Sequence, residues 1–169
     1  MRRSLNASGG AGLADCEDSC VGTDSESTVA PLTNGDLSWC ANLYAESFNG
    51  SPWNESWTVA DARQRLSDFL ETPRSFGVCA CDSTDQLVGF AIGHLERSCG
   101  QDHFLLQEMC VRPDLQRQGC GTALLGALER RVPEATNWYL LTAHESDAAR
   151  FYQRNGFRPA GRMGVYVRP

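Results

Sequence analysis

The segment Gln116-Arg117-Gln118-Gly119-Cys120-Gly121-Thr122 does most to limit what this chain can become. It follows an apolar stretch over residues 104–111 that reads as a strand, and it precedes Leu124, Leu125, Leu128 and Val132, which recur at helical spacing up to Pro133. A chain that passes from strand to helix through two glycines can lay its backbone close against a ligand. It also leaves the first N–H groups of the helix unpaired and partially positive. Such a turn suits a phosphate or pyrophosphate, and a side chain at Gly121 is expected to block that approach. No Gly-Lys-Ser/Thr follows, which excludes a nucleotide-hydrolase loop. The third glycine and downstream ribose-binding acid of a dinucleotide fold are out of register, so a different phosphate-bearing ligand remains.

The other elements can be read around this unit. Residues 29–32 form a short first strand, and Asn34-Gly35-Asp36 turns the chain into a helix carrying Leu37, Cys40, Leu43 and Tyr44, which ends near Phe48. Thr58 followed by Asp61 resembles a capping box with Asp in place of Glu, opening a second helix over about 58–71 that Pro73 stops. Residues 76–81 and 87–95 read as a hairpin joined by Asp82-Ser83-Thr84-Asp85. A strand over 138–143, a helix over 146–154 closed by Asn155-Gly156, and one or two strands over 157–167 complete the pattern. The order β-α-α-β-β-β-α-β-α-β(-β) is an α/β (α+β) architecture with no internal repeat.

With 169 residues, 41% of them hydrophobic, the chain suffices for one domain, expected over residues 28–169. Residues 1–27 are rich in Ser, Gly, Ala and Asp without apolar periodicity, and are expected to form a disordered tail. The formal net charge of -6 and the absence of any Lys argue against nucleic-acid binding. The acidic balance suits a cationic small substrate, and equally suits plain solubility. No apolar run reaches the ~18 residues of a membrane span and no secretory signal is present, so a cytoplasmic protein without a membrane partner is expected. The eight cysteines show no four-ligand metal spacing, and no metal is expected. Cys120, in the first helical turn, either has its thiol activated by the helix dipole, alkylating quickly unless the phosphate-bearing ligand protects it, or packs inward.

Three segments together carry a family resemblance: the strand end Glu108-Met109-Cys110-Val111-Arg112-Pro113, then Gln116-x-x-Gly119-x-Gly121, then Ala148-x-x-Phe151-Tyr152-x-x-Asn155-Gly156-Phe157. They resemble the GNAT superfamily of N-acetyltransferases over residues 29–167. The resemblance implies a strongly twisted mixed sheet of six or seven strands with about four helices, in which two central strands splay to form the cleft for acetyl-CoA. It implies that Met109 and Val111 pair with the cofactor arm, an N–H near Met109 stabilising the acetyl oxygen. It also implies that Gln116, Arg117, Gln118, Gly119, Cys120, Gly121 and Thr122 hold the pyrophosphate, and that Ser146, Ala149 and Tyr152 line the arm.

By the same resemblance Tyr152 protonates the departing thiolate, the competing reading being a ring packed beside Phe151. Glu108 accepts a proton from the amine or anchors it by charge, unless it is merely an exposed strand-end residue. Ser146 stands where similar proteins often have Asn, and is also placed to cap the following helix. Trp53, Glu55 and Trp57 lie in the region that shapes the acceptor site, where indoles beside a carboxylate suit a cationic amine and equally suit packing between helices. His94, His103 and His144 show no triad spacing. The implied activity is transfer of acetyl from acetyl-CoA to a primary amine, of a small molecule rather than a protein, by direct attack in a ternary complex. The alternatives are a non-catalytic acyl-CoA-binding module and a protein or peptide N-acetyltransferase, as monomer or homodimer.

Overall fold

Two hairpins make the centre of the molecule. In the computed structural model, which describes residues 28–161 and 164–168, β2 (Ser75–Cys81), β3 (Leu87–Ser98) and β4 (Gln101–Val111) run antiparallel in succession. The tail expected over residues 1–27 lies outside the described residues. In the first turn one carboxylate oxygen of Asp82 accepts from the Thr84 and Gln86 N–H groups at 2.9 and 3.1 Å. The second turn is Cys99-Gly100, with φ of 49° and 80°, the two-residue form whose twist matches that of the flanking strands. It pairs Ser98 with Gln101, so β3 and β4 each run three residues beyond their apolar stretches.

β1 (Thr28–Pro31) adds antiparallel to β2, and β5 (Ala135–Leu140) adds parallel to β4, giving the order β1-β2-β3-β4-β5. This is one strand or two fewer than expected, because residues 157–161 and 164–168 form no strand. Phe157 is drawn into the core, while Val165, Tyr166 and Val167 are 70%, 97% and 87% exposed. This β-prone run meets no ladder among the described residues, and an extended segment holds as a strand only when its backbone groups are paired.

Helices cover both faces. α1 (Leu37–Asn49) follows a 3-10 turn capped by a full Thr33–Asp36 box, and α2 (Val59–Glu71) is capped by Thr58, whose hydroxyl accepts from the Asp61 N–H at 3.1 Å. They bury Leu37, Cys40, Tyr44, Ala62 and Leu66 against Phe90, Ile92 and Cys110 of the sheet. On the other face α3 (Cys120–Arg131) buries Leu124, Leu125 and Leu128 against Val78, Val88, Phe104 and Leu106, with α4 (Asp147–Arg154) at its side. Each such fully buried apolar side chain contributes about 1.5–3 kcal/mol relative to exposure.

A β-bulge in β4 decides which face receives which residue. Ile92 pairs with Glu108 and Gly93 with Leu106, leaving Gln107 as the extra residue. Gly93 faces it at a point where a Cβ would lie 2.2 Å from the Leu105 carbonyl oxygen and 2.6 Å from the Phe104 ring, so only hydrogen fits. Phe104 and Leu106 therefore turn to the α3 face, whereas Glu108 and Cys110 turn to the face covered by α1 and α2.

Candidate active site

β4 and β5 part company. Their pairing runs from Asp102–Ala135 to Leu106–Leu140, after which β5 ends and β4 continues to Val111. The expected strand over 138–143 thus begins and ends three residues early, since the ladder with β4 stops at Leu140 and residues 141–143 form no strand. Arg112 donates its N–H to the Val88 carbonyl at 2.8 Å, and N–H direction alternates along a strand, so Met109 and Val111 direct theirs away from β3 into the gap. The Val111 carbonyl, facing the same way, accepts from the Gln116 side chain at 3.2 Å.

The turn after β4 opens toward the same gap. Arg117 and Gly119 take φ of 63° and 91°, and Gly119 caps α3. The first helical bond runs from Ala123 N–H to the Gly119 carbonyl at 3.0 Å, which leaves the N–H groups of Cys120, Gly121 and Thr122 without helical partners. Gln118 donates to the Asp114 carbonyl at 2.9 Å and stiffens the turn. The exposed Arg117 sits 3.6 Å from Asp147 of α4. A Cβ at Gly121 would meet the Phe151 ring at 3.0 Å, so this glycine is what lets α4 lie against the first turn of α3. Cys120 points into the α3 core at 6% exposure, and burial pushes its thiol up. The side chain thus takes the inward-packing alternative, in which desolvation of the thiolate opposes activation by the helix dipole.

Glu108 is not an exposed strand-end residue. It is 8% exposed, and its Oε1 accepts from Arg65 Nε at 3.0 Å, from Arg65 Nη2 at 2.8 Å and from the Tyr44 hydroxyl at 3.3 Å. Burial raises its carboxyl above the usual carboxylate range, opposed by the hydrogen bonds and charge of Arg65 and by Tyr44. Neither partner is marked in the sequence: Tyr44 reads as a core residue of α1, and Arg65 lies between the apolar positions of α2. The available signal was Arg65 four residues before Phe69, a spacing that stacks the two side chains, and the guanidinium carbon lies 4.8 Å from the Phe69 ring centre.

The same guanidinium carbon lies 5.5 Å from the Trp57 ring, which meets Tyr44 edge-on at 5.1 Å. Trp57 donates its indole N–H to Glu55, and Trp53 is 37% exposed and packs against Phe48 at 5.7 Å. Beside them is an open recess of about 310 Å³ lined by Glu55, Ser56, Trp57 and Asp61. Packing and an acceptor-lined recess thus coexist: the indoles close the α1–α2 corner and leave carboxylates at its edge.

Tyr152 is partly buried between Phe151 and Phe157, with ring centres at 5.3 and 5.6 Å. Its hydroxyl makes no hydrogen bond among the described residues, and burial raises it, reinforced by Cys110 and Glu108. Ser146 caps α4: its oxygen accepts from the Ala149 N–H at 3.0 Å and donates to the Ala143 carbonyl at 2.8 Å. Ala149 is partly buried in that first turn. Among the described residues no group of His, Cys, Asp and Glu could hold a metal ion, and no helix is long and apolar enough to cross a membrane.

No curated protein matches the sequence. Solved structures share its fold: a possible acetyltransferase from Clostridium difficile 630 is 12% identical with a TM-score of 0.71, covering 85% of this chain and 97% of that one. An aminoglycoside N-acetyltransferase in complex with CoA is 17% identical with a TM-score of 0.67, over 88% and 99% of the two chains. An aminoglycoside acetyltransferase from an uncultured soil metagenomic sample, in complex with sisomicin, is 16% identical with a TM-score of 0.64, over 85% and 95%. The model of the GNAT acetyltransferase domain matches residues 73–159, just over half of the chain, from the entry to β2 to beyond α4. With the splayed strands, the Gly-rich turn and α4 all inside the matched segment, the chain belongs to the GNAT acetyltransferase family.

Proposed function

We propose that the protein is an acetyl-CoA-dependent N-acetyltransferase that acetylates a primary amine of a small cationic molecule by direct attack in a ternary complex. One observation carries this reading: β4 leaves β5 after Leu106, placing unpaired backbone groups on its gap side and Glu108 on its α1–α2 face. The residues present fit acetyl-CoA. The N–H groups of Met109 and Val111 suit an amide-bearing arm, and those of Cys120, Gly121 and Thr122 suit a pyrophosphate, with Gln116, Arg117, Gln118 and Gly119 shaping the turn. Ser146 and Ala149 then flank the arm, the Ser146 hydroxyl having only its second lone pair to offer.

Bound acetyl-CoA supplies the thioester that the amine attacks. Glu108 takes a proton from the acceptor ammonium, a task for which a carboxyl raised by burial is better suited than an ordinary one. The Met109 N–H donates to the carbonyl oxygen as charge builds there. Tyr152, whose raised hydroxyl stays protonated at neutral pH, gives its proton to the departing sulfur. Glu55, Trp57 and Asp61, with Trp53 nearby, receive the rest of the cationic acceptor, and the aminoglycoside acetyltransferases among the structural neighbours support a small-molecule substrate. The six free cysteines of the described residues suit the reducing cytoplasm.

The test is release of free CoA from acetyl-CoA against aminoglycosides, polyamines, amino acids and peptide N-termini. Turnover with a multiply charged small amine is the expected result. Turnover with peptides alone would make this a peptide acetyltransferase, and tight acetyl-CoA binding without turnover would make it a binding module.

A further inference from the structure

We propose that Arg65 is the positioning residue of the acceptor site, tying one oxygen of Glu108 so that the other, Oε2, is presented as a charged atom to the amine. The inference rests on the reading of Glu108 as the base. Three donors converge on Oε1: Arg65 Nε, Arg65 Nη2 and the Tyr44 hydroxyl, at 3.0, 2.8 and 3.3 Å. Oε2 accepts nothing among the described residues. It is also absent from the side-chain atoms sealed from solvent without a partner, which are Ser47 Oγ and Ser75 Oγ. The carboxylate is thus anchored on one side and open on the other.

The guanidinium is itself anchored. Its carbon lies 4.8 Å from the Phe69 ring, one turn along α2, and 5.5 Å from the Trp57 ring across the corner. A guanidinium held against two rings resists following a rotating carboxylate, so it fixes the direction in which Oε2 points. Stability alone does not account for the arrangement. The Arg65 side chain is 41% exposed, so its own charge is solvated well enough to need no partner. Glu108 at 8% exposure is the member that needs the partner, because an unpaired buried carboxylate takes up a proton and ceases to be a base.

In the reaction the ammonium N–H bond breaks as its proton moves to Oε2, directly or through water. The freed nitrogen lone pair forms the C–N bond, the C–S bond pair passes to sulfur, sulfur takes the Tyr152 proton, and the nitrogen releases its second proton to water, leaving the neutral amide. Glu108 and Tyr152 then re-equilibrate with solvent. The ionisable groups facing Glu108 are Tyr44 from α1, Arg65 from α2, Glu55 from the intervening loop, Cys110 from its own strand and Tyr152 from α4. Arg65 is the one cation among them, so its removal has one sign: Glu108 binds its proton more tightly.

Two readouts test this on the full chain. Carboxyl-labelled glutamate, with the Glu108 resonance assigned by Glu108→Gln, gives the titration midpoint by carbon NMR, and the pH profile of kcat/KM gives its kinetic counterpart. Arg65→Gln should move both the midpoint and the acidic limb upward by about one to three pH units. Arg65→Lys, which keeps the charge and loses the fork, should leave the limb within about half a unit while lowering kcat. In a Glu108→Gln background, which removes the buried charge and the folding liability with it, Arg65→Gln should lower kcat no further. An NMR midpoint that stays put in Arg65→Gln, or additive losses in the double variant, would overturn the role of Arg65. A midpoint that moves while the pH–rate profile does not would instead overturn Glu108 as the base.

Discussion

Replacing Gly121 with valine separates two reasons for a glycine at that place. The sequence suggested close backbone approach to a pyrophosphate, whereas the structure lays the Phe151 ring over the site, with Cζ and Cε2 at 3.0 and 3.1 Å from where a Cβ would sit. Ordinary carbon contacts lie at about 3.5–4.0 Å, so even the first added carbon must displace the ring by about half an ångström. Valine adds two methyl groups beyond it. Overpacking of this kind costs about 1–3 kcal/mol, and loss of glycine's backbone entropy returns roughly 0.5–1 kcal/mol, for a net destabilisation of up to about 2.5 kcal/mol. In a domain of this size that lowers Tm by up to about 10 °C. Urea unfolding of Gly121→Val, Phe151→Ala and the double variant measures the coupling, and acetyl-CoA thermal shifts are read on all four proteins. The valine should cost less once the ring is gone, by about 1–2 kcal/mol, and the acetyl-CoA shift lost in the single variant should return in the double. Costs that add to within about 0.5 kcal/mol would refute the packing argument, and a shift lost in both variants would restore backbone approach as the reason.

Tyr152→Phe should lower kcat by about 10², the low end for a positioned acid because a thiolate is already a fair leaving group, and should leave the acetyl-CoA thermal shift intact; undiminished turnover would reduce the residue to packing between Phe151 and Phe157. Arg74 binds Asp102 through two hydrogen bonds of 2.7 and 2.6 Å, which hold that carboxyl below its usual range. A lowered folded pKa means the contribution is complete above the unfolded value of about 3.9 and fades as pH falls through the folded one, so the stability difference between the native chain and Asp102→Asn should shrink on acidification below about pH 4 in urea titrations. Maleimide labelling followed by peptide mapping should find Cys99, which is exposed, modified well before Cys120, Cys40 and Cys110, and early labelling of Cys120 would contradict its inward orientation.

The helices were legible because each carries its own punctuation. Thr58 and Ser146 cap α2 and α4 as their positions suggested, and the apolar spacing of α3 matches the residues it buries. Strand ends were less legible. Glu96, Arg97 and Ser98 are held in β3, and Gln101, Asp102 and His103 in β4, by the register of the Cys99-Gly100 turn rather than by any apolar pattern, and a Cys-Gly pair is a weaker hairpin signal than Asn-Gly. At the site, Glu108, Met109 and the Gly119–Gly121 turn were legible as candidates because they sit together in sequence. Arg65 and Tyr44 come from other elements and meet Glu108 only in three dimensions, 43 and 64 positions away along the chain.

The extra residue in β4 has a bearing on how this chain should be compared with its relatives. Gln107 changes the odd–even count of the strand, so one strand supplies Phe104 and Leu106 to one layer and Glu108 and Cys110 to the opposite one. Deleting Gln107 would close the bulge without turning the strand over, because Leu106 and Glu108 would become neighbours, keep Gly93 and Ile92 as partners and stay on opposite faces. The damaging change would be to iron the bulge flat with Gln107 kept, which would turn the carboxylate toward α3, swing the Met109 thioether toward Arg65, and reverse the direction of every N–H now facing the gap. An alignment that slides a gap by one place across this point therefore equates residues on opposite faces of the sheet. A relative lacking the insertion must carry its acidic residue at an adjacent position to present it to the same amine.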